Sequence, residues 1–165
     1  MEEDKEVIIE NATTIVNKII KNLNCSIEEA DTLIDKTIAN SQSMFDIVCS
    51  YQERFIRDEL RPIDFYYTTL DKLTGVYMYL SPITLTLDSF INRHLLKFYH
   101  IRKTDTISKG EKFTSAPVEK ESEYYVSILK IKYCIFSGFL DDCVQGINTC
   151  KKRIKSVEEE KDISK

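Results

Sequence analysis

Apolar or small residues recur at Val118, Ser122, Tyr125, Leu129, Tyr133, Phe136, Leu140, Cys143, Ile147, Cys150, Ile154 and Val157, with steps that alternate between three and four. That period belongs to a helix with one continuous apolar seam and not to a strand, whose buried positions repeat every second residue. Residues 117–157 therefore predict a helix about 60 Å long at 1.5 Å per residue. Its seam, centred on Leu129, Tyr133, Phe136, Leu140, Ile147 and Ile154, demands a partner: an earlier helix of the same chain or the same helix of another subunit.

The preceding pattern predicts further helices. Residues 3–22 carry a stripe of Val7, Ile8, Ile15, Ile19 and Leu23, with Glu2, Glu3 and Asp4 at the end where the helix dipole favours acids. Ser26 followed by Glu29 is a capping box that opens a second helix through Leu33, Ile34, Phe45, Val48 and Cys49, with a weak zone at Asn40, Ser41 and Ser43. Arg61-Pro62 closes it, because proline disfavours the α region for the residue before it and has no N–H to donate. A third helix begins at Pro62 and carries Phe65, Tyr66, Leu70, Leu73, Tyr77 and Leu80, with Gly75 a weak point; Ser81-Pro82 ends or kinks it.

A fourth helix covers residues 83–101, a polar loop residues 102–115, and Thr114 or Ser115 caps the long helix, with Pro117 acceptable in its first turn. The expected fold is all-α: a long antiparallel helical hairpin over about residues 83–157, preceded by two or three helices. The expected organisation is an acidic segment 1–60, a hairpin region 62–157 and a charged tail 158–165 that lacks an apolar face and should fray. Gly138 and Gly146 share roughly one side of the long helix, where each costs about 1 kcal/mol relative to alanine, so a close helix approach or a kink is expected there.

Composition narrows this picture. Only four glycines and three prolines in 165 residues mean few turns and long elements. No apolar run reaches the roughly 18 residues of a membrane span, and the N-terminus is acidic where a signal peptide is basic, so a cytoplasmic protein is expected. Cys25, Cys49, Cys134, Cys143 and Cys150 are odd in number and contain no CxxC pair, which reads as buried thiols in a reducing compartment. The net charge of −4 divides unevenly: residues 1–60 are acidic, and residues 61–157 carry the cationic excess.

Candidate chemistry is sparse. His94 and His100 have no histidine or cysteine at metal-ligand spacing, adjacent Asp141 and Asp142 point about 100° apart on a helix, and neither Ser137-Gly138 nor Ser108-Lys109-Gly110 has the surroundings of a nucleophile elbow or phosphate loop. No enzyme, metal or cofactor is expected. The cations say more: Arg93, Lys97, Arg102, Lys103, Lys109 and Lys112 crowd the end of the fourth helix and its loop, with Tyr99 and Phe113 among them. Phosphate-neutralising cations interleaved with stacking platforms are what single-stranded nucleic acid binding uses. Lys151, Lys152, Arg153 and Lys155 form a second group at the other end of the hairpin, where cations complement a helix C-terminus.

The segment from Leu96 to Arg102 (Leu-Lys-Phe-Tyr-His-Ile-Arg), the polar loop, Thr114 and Ser115 before Val118-Glu119, and the pair Tyr124-Tyr125 opening a long amphipathic helix resemble the phage recombination-mediator family of UvsY type. The resemblance covers about residues 83–157. It implies a small helical homo-oligomer that binds single-stranded DNA in the host cytoplasm and helps a phage recombinase displace single-strand-binding protein. The alternative expectation is a non-enzymatic helical structural or adaptor protein that docks its long helix on partner helices, a phage particle being one setting for it.

Overall fold

The computed structural model describes residues 26–56 and 61–163 of the chain. The helix expected over residues 3–22 lies outside them. Among the described residues the fold is all-α: α1 (Ile27–Asn40), α2 (Gln42–Ile56), α3 (Ile63–Ser108), α4 (Ser115–Tyr125) and α5 (Ser127–Ile163).

The capping box that opens α1 is formed in both directions: the Glu29 N–H donates to Ser26 Oγ at 3.2 Å and the Ser26 N–H donates to Glu29 Oε2 at 2.8 Å. The weak zone proves to be a break at Ser41, between α1 and α2. Ser41 is fully buried, its hydroxyl donates to the Thr37 carbonyl at 2.7 Å and it lies 3.4 Å from the Tyr79 hydroxyl.

The expected third and fourth helices are one helix. α3 runs 46 residues with Pro82 inside it, about 70 Å of chain at 1.5 Å per residue. Proline removes one helical hydrogen bond and crowds the preceding turn, yet Tyr79, Leu80, Ile83 and Leu87 around it are all at most 5 % exposed. Their burial outweighs the local cost, and Met78, whose carbonyl loses its donor, sits on the exposed side. The polar loop is correspondingly shorter than residues 102–115, because α3 continues to Ser108. It then stops in a Schellman motif: the Gly110 N–H donates to the Ile107 carbonyl and the Glu111 N–H to the Thr106 carbonyl. Gly110 has φ 72°, a left-handed conformation natural to glycine. Thr114 occupies the N-cap of α4 with extended backbone but makes no side-chain cap bond.

The long C-terminal helix is two. α4 ends at Tyr125 and α5 begins at Ser127, with Val126 between them at φ −98°, ψ 4°. The break corrects the seam by one residue: Val126 is fully buried, while Tyr125 is 38 % exposed. Leu129, Phe136, Cys143 and Cys150 are fully buried, Ile154 is buried, and Tyr133, Leu140 and Ile147 pack half-buried along the same line. α5 does not lose its helix after Val157; it continues to Ile163, and the Tyr67 hydroxyl donates to Glu158 Oε1 at 2.8 Å.

α4 and α5 together run antiparallel to α3. The Tyr67–Glu158 bond fixes one end, and the stacked rings of Phe98 and Tyr125, 4.4 Å apart, fix the other. α1 and α2 lie against the body of this hairpin. Phe45 of α2 stacks on Phe139 at 4.1 Å and meets Phe136 at 5.9 Å. α1 is tied by Lys132 of α5, whose ammonium pairs with both Asp31 and Asp35. The Lys132 side chain is only 13 % exposed. Burial pulls its pKa down, but the bonds to Asp31 and Asp35 outweigh that and raise it above the ordinary 10.5.

Of the two interior glycines, Gly138 makes no close approach: it is exposed, and a Cβ added there would meet nothing within 4 Å. Gly146 is buried and lines a groove of about 320 Å³ between α2 and α5, beside Tyr51 and Asp142.

Candidate nucleic-acid interface

The hairpin turn brings Tyr99, Lys103 and Phe113 together near one tip, with Lys109 and Lys112 in the turn, while Arg93 and Lys97 lie about 22 and 16 Å back along α3 from its end. Tyr99 and Phe113, from opposite sides of the loop, meet edge to face at 6.0 Å, and the Lys103 ammonium stands 5.6 Å over the Phe113 ring. Both rings are half-buried, so each keeps one part packed and another open. These three residues form one cluster.

Two of the six cations are neutralised locally. Arg102 Nε donates to Glu121 Oε2 at 2.9 Å across the hairpin, and this bond raises the guanidinium pKa further. Lys109 pairs with Asp105 at 3.5 Å, one helical turn away. Arg93, Lys97 and Lys112 are exposed and have no ion-pair partner among the described residues. Arg93 and Lys97 sit four residues apart on one face of α3. Between them His94 is buried against the ring of Phe90, 4.3 Å away. Burial first, then the charges of Lys97 and Arg93, lower its pKa below the usual 6.5, so His94 is neutral at pH 7 and adds no charge to the tip.

Sequence reasoning missed a second group as site residues. Phe98, Lys120, Glu121, Tyr124 and Tyr125 line an open cleft of about 530 Å³ on the flank of the tip. Tyr124 is 83 % exposed, and Lys120 is exposed with no ion-pair partner among the described residues. Tyr124 stands one position off the seam, a signal already present in the periodicity. Lys120 carries no such mark, since a lysine in the first turns of a helix is ordinary.

The tip thus holds two aromatic clusters with Lys112 and Lys120 as cations without an ion-pair partner among the described residues, and Arg93 and Lys97 extend the cationic surface back along α3. Such a surface suits an extended polyanion with unstacked rings. Lys151 and Lys152 lie near the far end of α5, so within one chain they form no patch with the tip. There Lys155 pairs with Glu159 at 3.7 Å. Among the described residues no three metal-binding side chains converge, and no helix is long and apolar enough to cross a membrane. No family model matches the chain, and neither does any curated protein or solved structure.

Proposed function

We propose that the protein is a non-enzymatic, self-associating helical protein that binds single-stranded DNA at the hairpin tip. The resemblance to phage recombination mediators makes its partners a phage recombinase and single-strand-binding protein, and its place of action the host cytoplasm. The observation that carries this reading is the set of exposed cations without an ion-pair partner among the described residues (Arg93, Lys97 and Lys112) along the last turns of α3 and its loop, on the same arm as the Tyr99–Phe113 and Phe98–Tyr125 aromatic pairs. Phosphates would meet the cations, and bases the open parts of the rings.

Fluorescence anisotropy of a labelled single strand across a salt series tests it. Each phosphate contact contributes a slope of about −0.7 in log K against log salt on single strands, so Arg93→Ala, Lys97→Ala and Lys112→Ala together should flatten the slope by about 2. An unchanged slope, or no retention of the strand at low salt, would refute the reading.

The second reading, a structural or adaptor protein of a phage particle, draws support from a different observation: Tyr124, Ile128 and Ile131 leave much of their apolar surface open on the outer side of the hairpin. Incorporation into particles without any salt-dependent DNA binding would favour it.

A further inference from the structure

Several features of α4 and α5 have no account within a single chain. Tyr124 is 83 % exposed, Ile128 46 %, Ile131 65 % and Ile135 38 %. Their steps of four, three and four put them on one stripe, and the stripe lies away from the buried seam of Leu129, Phe136 and Cys143. Gly138 continues the stripe by three. It is exposed and a Cβ there would touch nothing within 4 Å, so the helix carries a residue that costs it about 1 kcal/mol without any close approach to require it. Lys120 and Asp142 stand near the two ends, and neither has an ion-pair partner among the described residues. Asp142 is half-buried and already lines the groove against α2, where the open stretch ends.

These features are symmetric about Ile131. Tyr124 and Gly138 each lie seven residues from it, in opposite directions; Lys120 and Asp142 each lie eleven; Ile128 and Ile135 lie three and four. We propose that the stripe docks on the same stripe of a second copy, antiparallel, with a twofold axis through Ile131. Such an interface is isologous, so every contact occurs twice. The Tyr124 ring of each copy lies over the partner's Gly138, where the missing side chain leaves room for it. Ile128 meets the partner's Ile135, Ile131 meets its own copy on the axis, and Lys120 faces the partner's Asp142. A shift of the register by one turn would set Tyr124 against Asp142 and leave Gly138 facing an isoleucine across a void. Charge complementarity and the fit of ring to glycine therefore select both the occupant, a second copy, and the register. The interface rests on the self-association in the reading above and needs no DNA.

The test is the mass of the full chain by light scattering and sedimentation equilibrium up to about 100 μM, a range that covers micromolar dissociation constants. Ile131→Lys places two like charges on the axis and should weaken association by about 100-fold. Since Ile131 is 65 % exposed, far-UV circular dichroism should stay unchanged. Gly138→Ala separates the fold from the interface: the thermal midpoint of the dilute protein should rise while the dimer weakens. Lys120→Glu and Asp142→Lys should each weaken the dimer by about tenfold, and their combination should restore it. A wild-type chain that stays monomeric over this range, an Ile131→Lys variant with unchanged mass, or a combined charge exchange that fails to restore association would each overturn the proposal. A chain that dimerises through these residues but ignores single strands would uphold it and sink the nucleic-acid reading instead. Strand binding by a strict monomer would do the reverse.

Discussion

Lys132→Met should loosen α1 from the hairpin while leaving the hairpin itself intact. Methionine keeps most of the apolar stem and removes only the ammonium, which meets Asp31 and Asp35 and donates to the Asp31 carbonyl at 3.3 Å. The two carboxylates are not equal partners, since the Asp31 side chain is 25 % exposed and that of Asp35 61 %. Well-solvated pairs contribute less than about 1 kcal/mol, and charge-assisted bonds to partly buried groups about 1.5 kcal/mol or more, so the sum is about 2 kcal/mol. For a chain of this size that lowers the thermal midpoint by about 4–8 °C. The assay is urea or thermal unfolding followed by circular dichroism, with hydrogen exchange to localise the change. Protection should fall in α1 before it falls in α3 and α5, and Asp31→Asn should cost more than Asp35→Asn. The pH dependence has a definite sign. The Lys132 pKa is raised in the fold, so the stability it contributes is fully present below about pH 10.5 and is lost as pH climbs through the raised value. The gap between wild type and Lys132→Met should hold steady through neutral pH and shrink only in strong alkali. An unchanged midpoint in Lys132→Met, or a reversed order of the two aspartates, would refute the reasoning.

Phe136→Ala deletes a fully buried ring that touches Phe45 and should cost about 3–5 kcal/mol in urea unfolding. The expected burial of the thiols holds for Cys143 and Cys150 but not for the exposed Cys49 and Cys134, so thiol labelling at pH 8 should modify the latter pair quickly and spare the former until the chain unfolds, because burial pushes the former up to about 12 and about 11. Pro82→Ala should raise the unfolding midpoint, since it returns a hydrogen-bond donor to a helix that is already continuous; a lower midpoint would mean that α3 depends on a bend at that residue.

The sequence was most legible where one local rule acted alone. The capping box at Ser26 and Glu29 and the alternation from Leu129 to Ile154 needed only neighbours a turn or two away. Of the two readings of Pro82, an end or a kink, the end fails because the proline's cost is local and its compensation is not: the burial of Leu80, Ile83 and Leu87 depends on a helix some sixty residues further on. Val126 was missed for a smaller reason, a single step of phase between two residues that both fit an apolar seam. At the tip the cations were legible but their pairings were not. Arg102 finds Glu121 only once the hairpin register is set, and that register depends on the packing of the whole seam. Lys132 carries no signal in the sequence, because nothing near it announces Asp31 and Asp35.

The break at Val126 also governs how the two ends of the hairpin are oriented. A strict alternation of three and four drifts relative to an unstrained helix by about 20° per heptad. From Val118 through Ser122 to Val126 the buried positions instead step by four and four, the spacing of a stutter, which cancels accumulated drift. Val126 therefore works as a phase joint: the body keeps its own winding, and α4 is set afresh against the end of α3. Removing one residue at the joint would turn α4 by about 100°, parting Glu121 from Arg102 and Tyr125 from Phe98 while the packing around Phe136 stayed in place. The direction in which the tip presents Lys120 and Tyr124 is thus an adjustable setting, separable from the stability of the core.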